Sequence, residues 1–331
     1  MSIHVDVLVV GHGLAGAAVV DECARRGLQV AVVAEARPGQ ASRVAAGVVN
    51  PVVLKRLVPS WRAQELLPLA RSHYRGAEKR AGRSFWHDAP LEVIFASAAD
   101  ARQWRARQNH PELASFIDPQ VNGTSDVKGI QADHGTGRVV AAAWLDVNTY
   151  LNDQQQRLCT QGHWLAHSAD CSAQWTIHCT GPFADLPGLV PVKGESIVIH
   201  LPGLDLDHMV HRGVFIVPLG RDLYRVGATF QWLDVWSGPT AEARAWLLSQ
   251  TAGALNIRMR ERVHVVEHHA GVRPASRDRR PLIGRISHDE AVINGLGSRG
   301  VLIAPWCAQH LLDHLLNGSP LDPAVLADRM T

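Results

Sequence analysis

The chain has 331 residues, 46% hydrophobic and 19% charged, with a formal net charge of +2. That length allows one large domain or two smaller ones sharing an interface. The near-neutral balance excludes a molecule dominated by attraction to nucleic acid or membrane, although local clusters can still act.

No apolar run approaches bilayer-spanning length, and the amino end has neither a basic n-region nor a small-residue cleavage site. The cysteines (Cys23, Cys159, Cys171, Cys179, Cys307) are odd in number and form no CxxC pair. That pattern predicts reduced thiols in a cytoplasmic protein, with no metal site and no disulfide framework.

Residues 5–10 are a Val-rich run of strand length. The chain then turns through Gly11-His12-Gly13-Leu14-Ala15-Gly16, reads as helix over 17–26, and returns in a strand at 30–33 that leads to Glu35. Strand, glycine turn, helix, strand and terminal acid in this order predict a dinucleotide-binding βαβ unit. Gly11 makes the tight turn, Gly13 lets the backbone approach a pyrophosphate, and Gly16 lets helix and strand pack closely. The helix N-terminus faces the phosphate charge, and Glu35 can accept hydrogen bonds from ribose hydroxyls.

The small-residue stretch 37–51 reads as a loop that can bring backbone amides close to a cofactor. An amphipathic helix is expected over 61–80, with Arg71, Arg75, Lys79 and Arg80 on a solvated face. A strand at 91–96 and a polar helix at 99–108 follow. Residues 135–140 turn into a short strand, and Asp146 or Asn148 caps the next helix. The segment 175–181 is a buried-strand pattern ending in Thr180-Gly181, where a small residue lets a cofactor lie against the strand's carboxyl end. His178 reads as a hydrogen-bonded core histidine.

From 191 the pattern changes. Segments 195–200, 213–219 and 223–229 alternate between Pro, Gly and Asp turns, as in an antiparallel sheet, with a hairpin turn at Arg221-Asp222. A helix over 241–255 and a strand over 262–268 follow. Together these patterns predict an α/β fold with an α+β second domain: a Rossmann-like nucleotide domain (1–71, 135–190 and 265–331) and a discontinuous β-sheet substrate domain (72–134 and 191–264). Last come an arginine-rich stretch at 270–285, a strand at 291–294, the turn Gly295-Leu296-Gly297-Ser298-Arg299-Gly300, and a helix over 301–316. Such a strand-turn-helix offers free amides and a helix dipole to an anion or to an electron-rich ring edge that gains charge on reduction.

The fingerprint 11–35, the stretch 41–51, Pro191-Val192-Lys193-Gly194-Glu195, Val226-Gly227-Ala228-Thr229, Gly271-Val272-Arg273-Pro274 and the stretch 297–305 stand in the order seen in the D-amino-acid oxidase (DAO) family. The chain resembles that family over almost its whole length. It is similar in particular to glycine oxidase and to the flavin domain of the bifunctional tRNA (methylaminomethyl)thiouridine enzyme. The resemblance implies noncovalent FAD, since no cysteine stands just before the Arg273 motif, and oxidation of a C–N bond.

Carried over position by position, it puts Leu14 and Ala15 at the diphosphate and Glu35 and Ala36 at the ribose. Ser42, Arg43, Ala46, Gly47 and Val48 fall beside the ribityl chain and flavin. Leu296, Gly297, Ser298, Arg299, Gly300, Val301 and Leu302 fall at the flavin's pyrimidine end. Arg273 falls on the arginine that binds substrate carboxylate, a task suited to its planar donor fork. Ser298 stands where glycine oxidase has a second such arginine, with Arg299 as its neighbour; the tRNA-modifying relative shares this Gly-Ser-Arg-Gly.

The expected reaction is therefore hydride transfer from an amine or amino acid of glycine or N-substituted-glycine type. Imine hydrolysis and reoxidation by O2 to H2O2 would follow. Action on carboxymethylaminomethyl-uridine in tRNA, contacted through Arg277, Arg279 and Arg280, and dehydrogenation with a non-oxygen acceptor stay open. His211, Tyr224, His268 and His269 read as structural before catalytic. Substrate and oligomeric state are open.

Overall fold

A computed structural model describes residues 3–330. Its first sheet has six strands in the order Trp164–Leu165, Val30–Val33, Ile3–Val10, Cys171–His178, Glu290–Asn294 and Leu282–Arg285. The first five run parallel and the last antiparallel. Ile3–Val10 lies centrally because Val7 and Val9 are fully buried, as a strand covered on both faces requires. The helix Leu14–Arg26 follows the glycine turn and stops at Gly27, which takes the left-handed conformation an L-residue resists. It packs on the apolar helix Gly300–Asn317, so the first and last thirds of the chain share one core.

The second sheet has seven strands in the order His264–Ser276, Leu189–His200, Leu223–Gly227, Val214–Gly220, Met209–Arg212, Leu91–Ile94 and Thr136–Val139. All pairs are antiparallel except Met209–Arg212 with Leu91–Ile94. The hairpin at Arg221-Asp222 is present, with φ of 53° and 58° as a primed turn demands. Asp146 caps the helix Val147–Thr160 by accepting from the Thr149 amide.

Several expectations shift. Thr136–Val139 and His264–Ser276 belong to the seven-stranded sheet, across the expected domain boundaries. The second is a single strand through Gly271 and Pro274, residues that usually break strands. It is an edge strand, where proline costs no ladder bond, and the long partner Leu189–His200 carries it. Residues 41–51 are not all loop: Ala41–Val44 is one helical turn, and Val48–Val49 pairs with Ala143–Leu145. His178 is only part-buried, with Nε2 3.4 Å from Glu290 Oε1. The basic helix face on Ala63–Ala81 is partly paired, Arg71 and Arg75 with Asp88 and Arg80 with Asp21.

Candidate active site

The carboxyl ends of the parallel strands and the inner face of the second sheet enclose a cavity of about 670 Å³. Its first wall is main chain. Gly11 has φ of +100°, and a Cβ there would stand 2.5 Å from the Cys179 carbonyl oxygen. A Cβ on Gly16 would overlap the Gly11 carbonyl oxygen, so only glycine lets this helix start so close to its strand.

The Leu14 amide donates to Ser42 Oγ at 3.1 Å, which ties the glycine turn to the helical turn Ala41–Val44. His12 sits behind it with Nε2 2.7 Å from Gln154 Oε1, while Nδ1 has no partner. Burial pushes its pKa down to about 4, against the opposing pull of Gln154, so the ring is neutral. The close-packed glycines and the start of the helix fit a nucleotide pyrophosphate, and an added side chain would fill the cradle.

Glu35 lies at the end of this wall with a carboxylate 70% exposed and 2.9 Å from Arg37. Arg43 donates to Asn152 Oδ1 and Gln155 Oε1, and burial lowers its pKa. Gly47 (φ +71°) accepts from the Leu145 amide at 3.0 Å, which fixes the segment running past the cavity. Arg225, from the second sheet, donates to the carbonyls of Val44 and Ala45 at 3.2 and 3.1 Å.

Arg273 forms the opposite wall. It sits across from Val192 in the ladder, and its Nη1 donates to the Lys193 carbonyl (3.3 Å) and the Thr229 carbonyl (3.1 Å). The Phe230 ring covers one face, 4.2 Å from Cζ. A Cβ on Gly194 would overlap the guanidinium, so glycine makes its room. Burial pushes its pKa down to about 10, which leaves it charged near neutrality. No carboxylate pairs with it among the described residues.

Lys193 and Glu195 stand behind it as an ion pair of 2.7 Å, both side chains fully buried. Lys193 also donates to Ser237 Oγ and the Gly238 carbonyl, and Glu195 accepts from the Thr240 amide and hydroxyl. Burial pushes the Glu195 carboxyl up, but Lys193 and Thr240 outweigh it and hold the pKa below the usual range. This pair pins the base of the loop that carries Phe230.

Of the candidate site residues, those read from the glycine turn and the Thr180-Gly181 strand end and those carried over from the resemblance, Gly11, Gly13, Leu14, Ala15, Glu35, Ser42, Arg43, Ala46, Gly47, Val48, Thr180, Gly181, Arg273 and the run from Leu296 to Val301 line this one cavity. Gly16, Ala36 and Leu302 do not: Gly16 packs beneath the turn, Leu302 is buried in the helix Gly300–Asn317, and Ala36 lies outside the lining. Tyr224, His268 and His269 also lie outside it. His211 lines it, against Phe215 at 4.8 Å, and burial pushes its pKa down to about 4.

Sequence reasoning missed Lys55, Arg225, Phe215 and Phe230, whose places depend on which strands pair. It also gave no role to His12, although that residue stands inside the glycine turn. Among the described residues no group of three or more His, Cys, Asp or Glu is arranged to hold a metal, and no helix is long and apolar enough to cross a membrane.

Comparison with known proteins agrees with this geometry. The family model for DAO, FAD dependent oxidoreductase, matches residues 6–314. The bifunctional tRNA 5-methylaminomethyl-2-thiouridine biosynthesis protein MnmC of Marinobacter nauticus is 24% identical over 98% of this chain, which spans only 57% of that protein's length. A glycine oxidase of Pseudomonas putida is 32% identical over 41% of this chain and 38% of its own. The solved iminodiacetate oxidase of Chelativorans sp. BNC1 superposes with a TM-score of 0.80 at 20% identity, covering 98% of both chains. The chain belongs to the DAO family of FAD-dependent oxidoreductases.

Proposed function

We propose that this chain oxidises the C–N bond of an amine bearing a carboxylate, of glycine or N-substituted-glycine type. The observation that carries this is Arg273: a partly buried cation in the cavity wall with no carboxylate of its own among the described residues. Its Nη1 is held by two carbonyls, which leaves Nη2 and Nε to receive a carboxylate in the guanidinium plane while Phe230 covers a face.

FAD would be held by the turn at Leu14-Ala15, by Glu35 and by the segment running from Ser42 to Val48, and would supply the two-electron acceptor. Noncovalent attachment is supported by the absence of any cysteine between His264 and Arg273 and by the burial that pushes the Cys179 thiol up. His211 stays neutral and brings no second charge to the amine. The carbon bearing the amine gives up its hydrogen with the bonding pair and the nitrogen gives up a proton, which leaves a C=N bond. Water then adds to that carbon, the C–N bond breaks, and an oxo acid and an amine depart. With O2 as the final acceptor, the electron pair and two protons would give H2O2. The unpaired cysteines support a reducing compartment such as the cytoplasm.

Anaerobic bleaching of the flavin absorbance tests this with glycine, sarcosine, N-alkylglycines and D-amino acids against amines lacking the carboxylate. Carboxylate-bearing amines should bleach the flavin. Equal bleaching by amines without one would overturn the reading. Rapid recovery of colour in air supports O2 as acceptor; slow recovery points to a dehydrogenase.

A second reading, action on a modified uridine of tRNA, draws on the likeness to MnmC and on the exposed Arg277, Arg279 and Arg280. It expects salt-sensitive tRNA binding that disappears when those three arginines are replaced together.

A further inference from the structure

Away from the active-site cavity, His208 stands between two carboxylates. Its Nδ1 is 2.6 Å from Asp207 Oδ1, and its Nε2 is 3.3 Å from Glu92 Oε2. A carboxylate only accepts, so both ring nitrogens must carry hydrogen, which a histidine does only as the imidazolium. Glu92 is buried and also accepts from the Ser125 hydroxyl at 2.9 Å. Facing a bare ring nitrogen instead, it would be a buried charge without its counter-charge.

The ring is buried too, yet it lines an outer cavity of about 500 Å³, so a proton can reach it without unfolding. Asp126, Lys128, Arg138, Asp205 and Asp207 stand around that cavity, with Arg138 3.9 Å from Asp126. Counting Glu92, acids outnumber bases around the ring. The Tyr224 hydroxyl meets the backbone at Leu206 and Asp205, and burial pushes its pKa up, so it stays neutral. Burial pushes the His208 pKa down, but Glu92 and Asp207 outweigh it and hold it above its usual 6.5. Burial pushes the Glu92 carboxyl up, but His208 and Ser125 outweigh it and hold it below its usual 4.5. The pair is therefore complete between those two values. It fails as pH rises through the raised His208 pKa, and again as pH falls through the lowered Glu92 pKa.

This pair closes a seam in the second sheet. Glu92 lies opposite Val210, where Met209–Arg212 joins Leu91–Ile94 in the one parallel junction of that sheet. The junction is three residue pairs long, and parallel pairing is the weaker kind. The Met209 amide donates to the Pro90 carbonyl at 3.1 Å, and just upstream Asp205 is held in the left-handed region at φ +47°. On the same short strand His211 pairs across to Phe215, and both line the active-site cavity.

We propose that His208 is a proton-dependent clasp on this seam: protonated, it locks Met209–Arg212 against Leu91–Ile94, and deprotonated, it frees that strand and with it the His211–Phe215 wall of the active-site cavity. The cavity thereby answers to a proton bound outside it, whichever substrate Arg273 seats.

Hydrogen exchange of the FAD-loaded protein, read by mass spectrometry near pH 6 and near pH 9.5 and corrected for the intrinsic rate, tests this. Protection of peptides spanning 204–216 should fall at least about tenfold at the higher pH, while peptides within Leu14–Arg26 keep theirs within about twofold. Glu92→Gln removes the buried charge that requires the proton and should cut that fall to less than about threefold. His208→Gln should leave 204–216 loosely protected at both pH values, and either variant serves if the other does not fold.

Equal wild-type protection of 204–216 at the two pH values overturns the proposal, whatever the variants do. A fall that survives in full in Glu92→Gln or in His208→Gln removes the clasp as its cause. Loosening of Leu14–Arg26 to the same degree makes the event a general alkaline unfolding and ends the proposal as well.

Discussion

At the Gly11–Gly16 turn the cavity wall is main chain: a left-handed glycine, a helix start and one serine hydroxyl, all within a short length of sequence. Around Arg273 the wall is side chain, assembled from strands far apart in sequence and braced by a buried ion pair. The first end offers backbone donors whose direction the turn itself fixes. The second offers a charge whose direction depends on Lys193, Glu195, Phe230 and Gly194 all being in place. Substitution should therefore damage the two ends differently.

Glu195→Ala should be the most destructive change. It leaves Lys193 charged and unpaired in a fully buried site, a loss of about 3–5 kcal/mol of stability that urea unfolding would measure. If the midpoint barely moves, the ion pair does not brace this wall.

Next comes Arg273→Met. With the guanidinium gone, kcat/KM for a carboxylate-bearing amine should fall about 30- to 1,000-fold, roughly 2–4 kcal/mol, while flavin content stays at the wild-type level. Loss of flavin together with activity would mean the two ends are not separable.

Acid should weaken both ends. His12 and His211 are neutral when folded, with pKa values lowered from 6.5 to about 4. The unfolded chain takes up their protons first, so stability is full above pH 6.5 and drains as pH falls towards about 4. Each histidine can contribute up to about 1.4 kcal/mol per pH unit in that window. His211→Phe should flatten the decline between pH 7 and 5, read from urea midpoints, and His12→Gln should do so independently.

The smallest effect is expected from Ser42→Ala, which removes the acceptor from the Leu14 amide. About 1 kcal/mol of stability should be lost, with FAD affinity weakened and the Arg273 end untouched. A fluorescence titration of apoprotein with FAD checks it.

The same contrast governs how much the sequence reveals. Gly11, Gly13, Gly16 and Glu35 could be read because a βαβ turn is local and its spacing follows from the geometry of one strand and one helix. The cap at Asp146 and the hairpin at Arg221-Asp222 were legible for the same reason. The edge strand His264–Ser276 was not, because Gly271 and Pro274 look like breaks until the partner strand is known. Phe230 and Phe215 share that obscurity: nothing in their own neighbourhoods marks them, and only the pairing of distant strands brings them to the cavity. Arg273 was found through a family motif; its unpaired state needed the fold.

Arg225 joins the two halves of this contrast. By gripping the Val44 and Ala45 carbonyls it fastens the strand Leu223–Gly227 to the segment beside the nucleotide turn. Whatever quiets one of these partners must quiet the other, so loading with FAD should slow hydrogen exchange in the distant hairpin as well as at the turn. By the reciprocity of linked equilibria, a ligand held by the sheet should in turn slow the departure of the nucleotide.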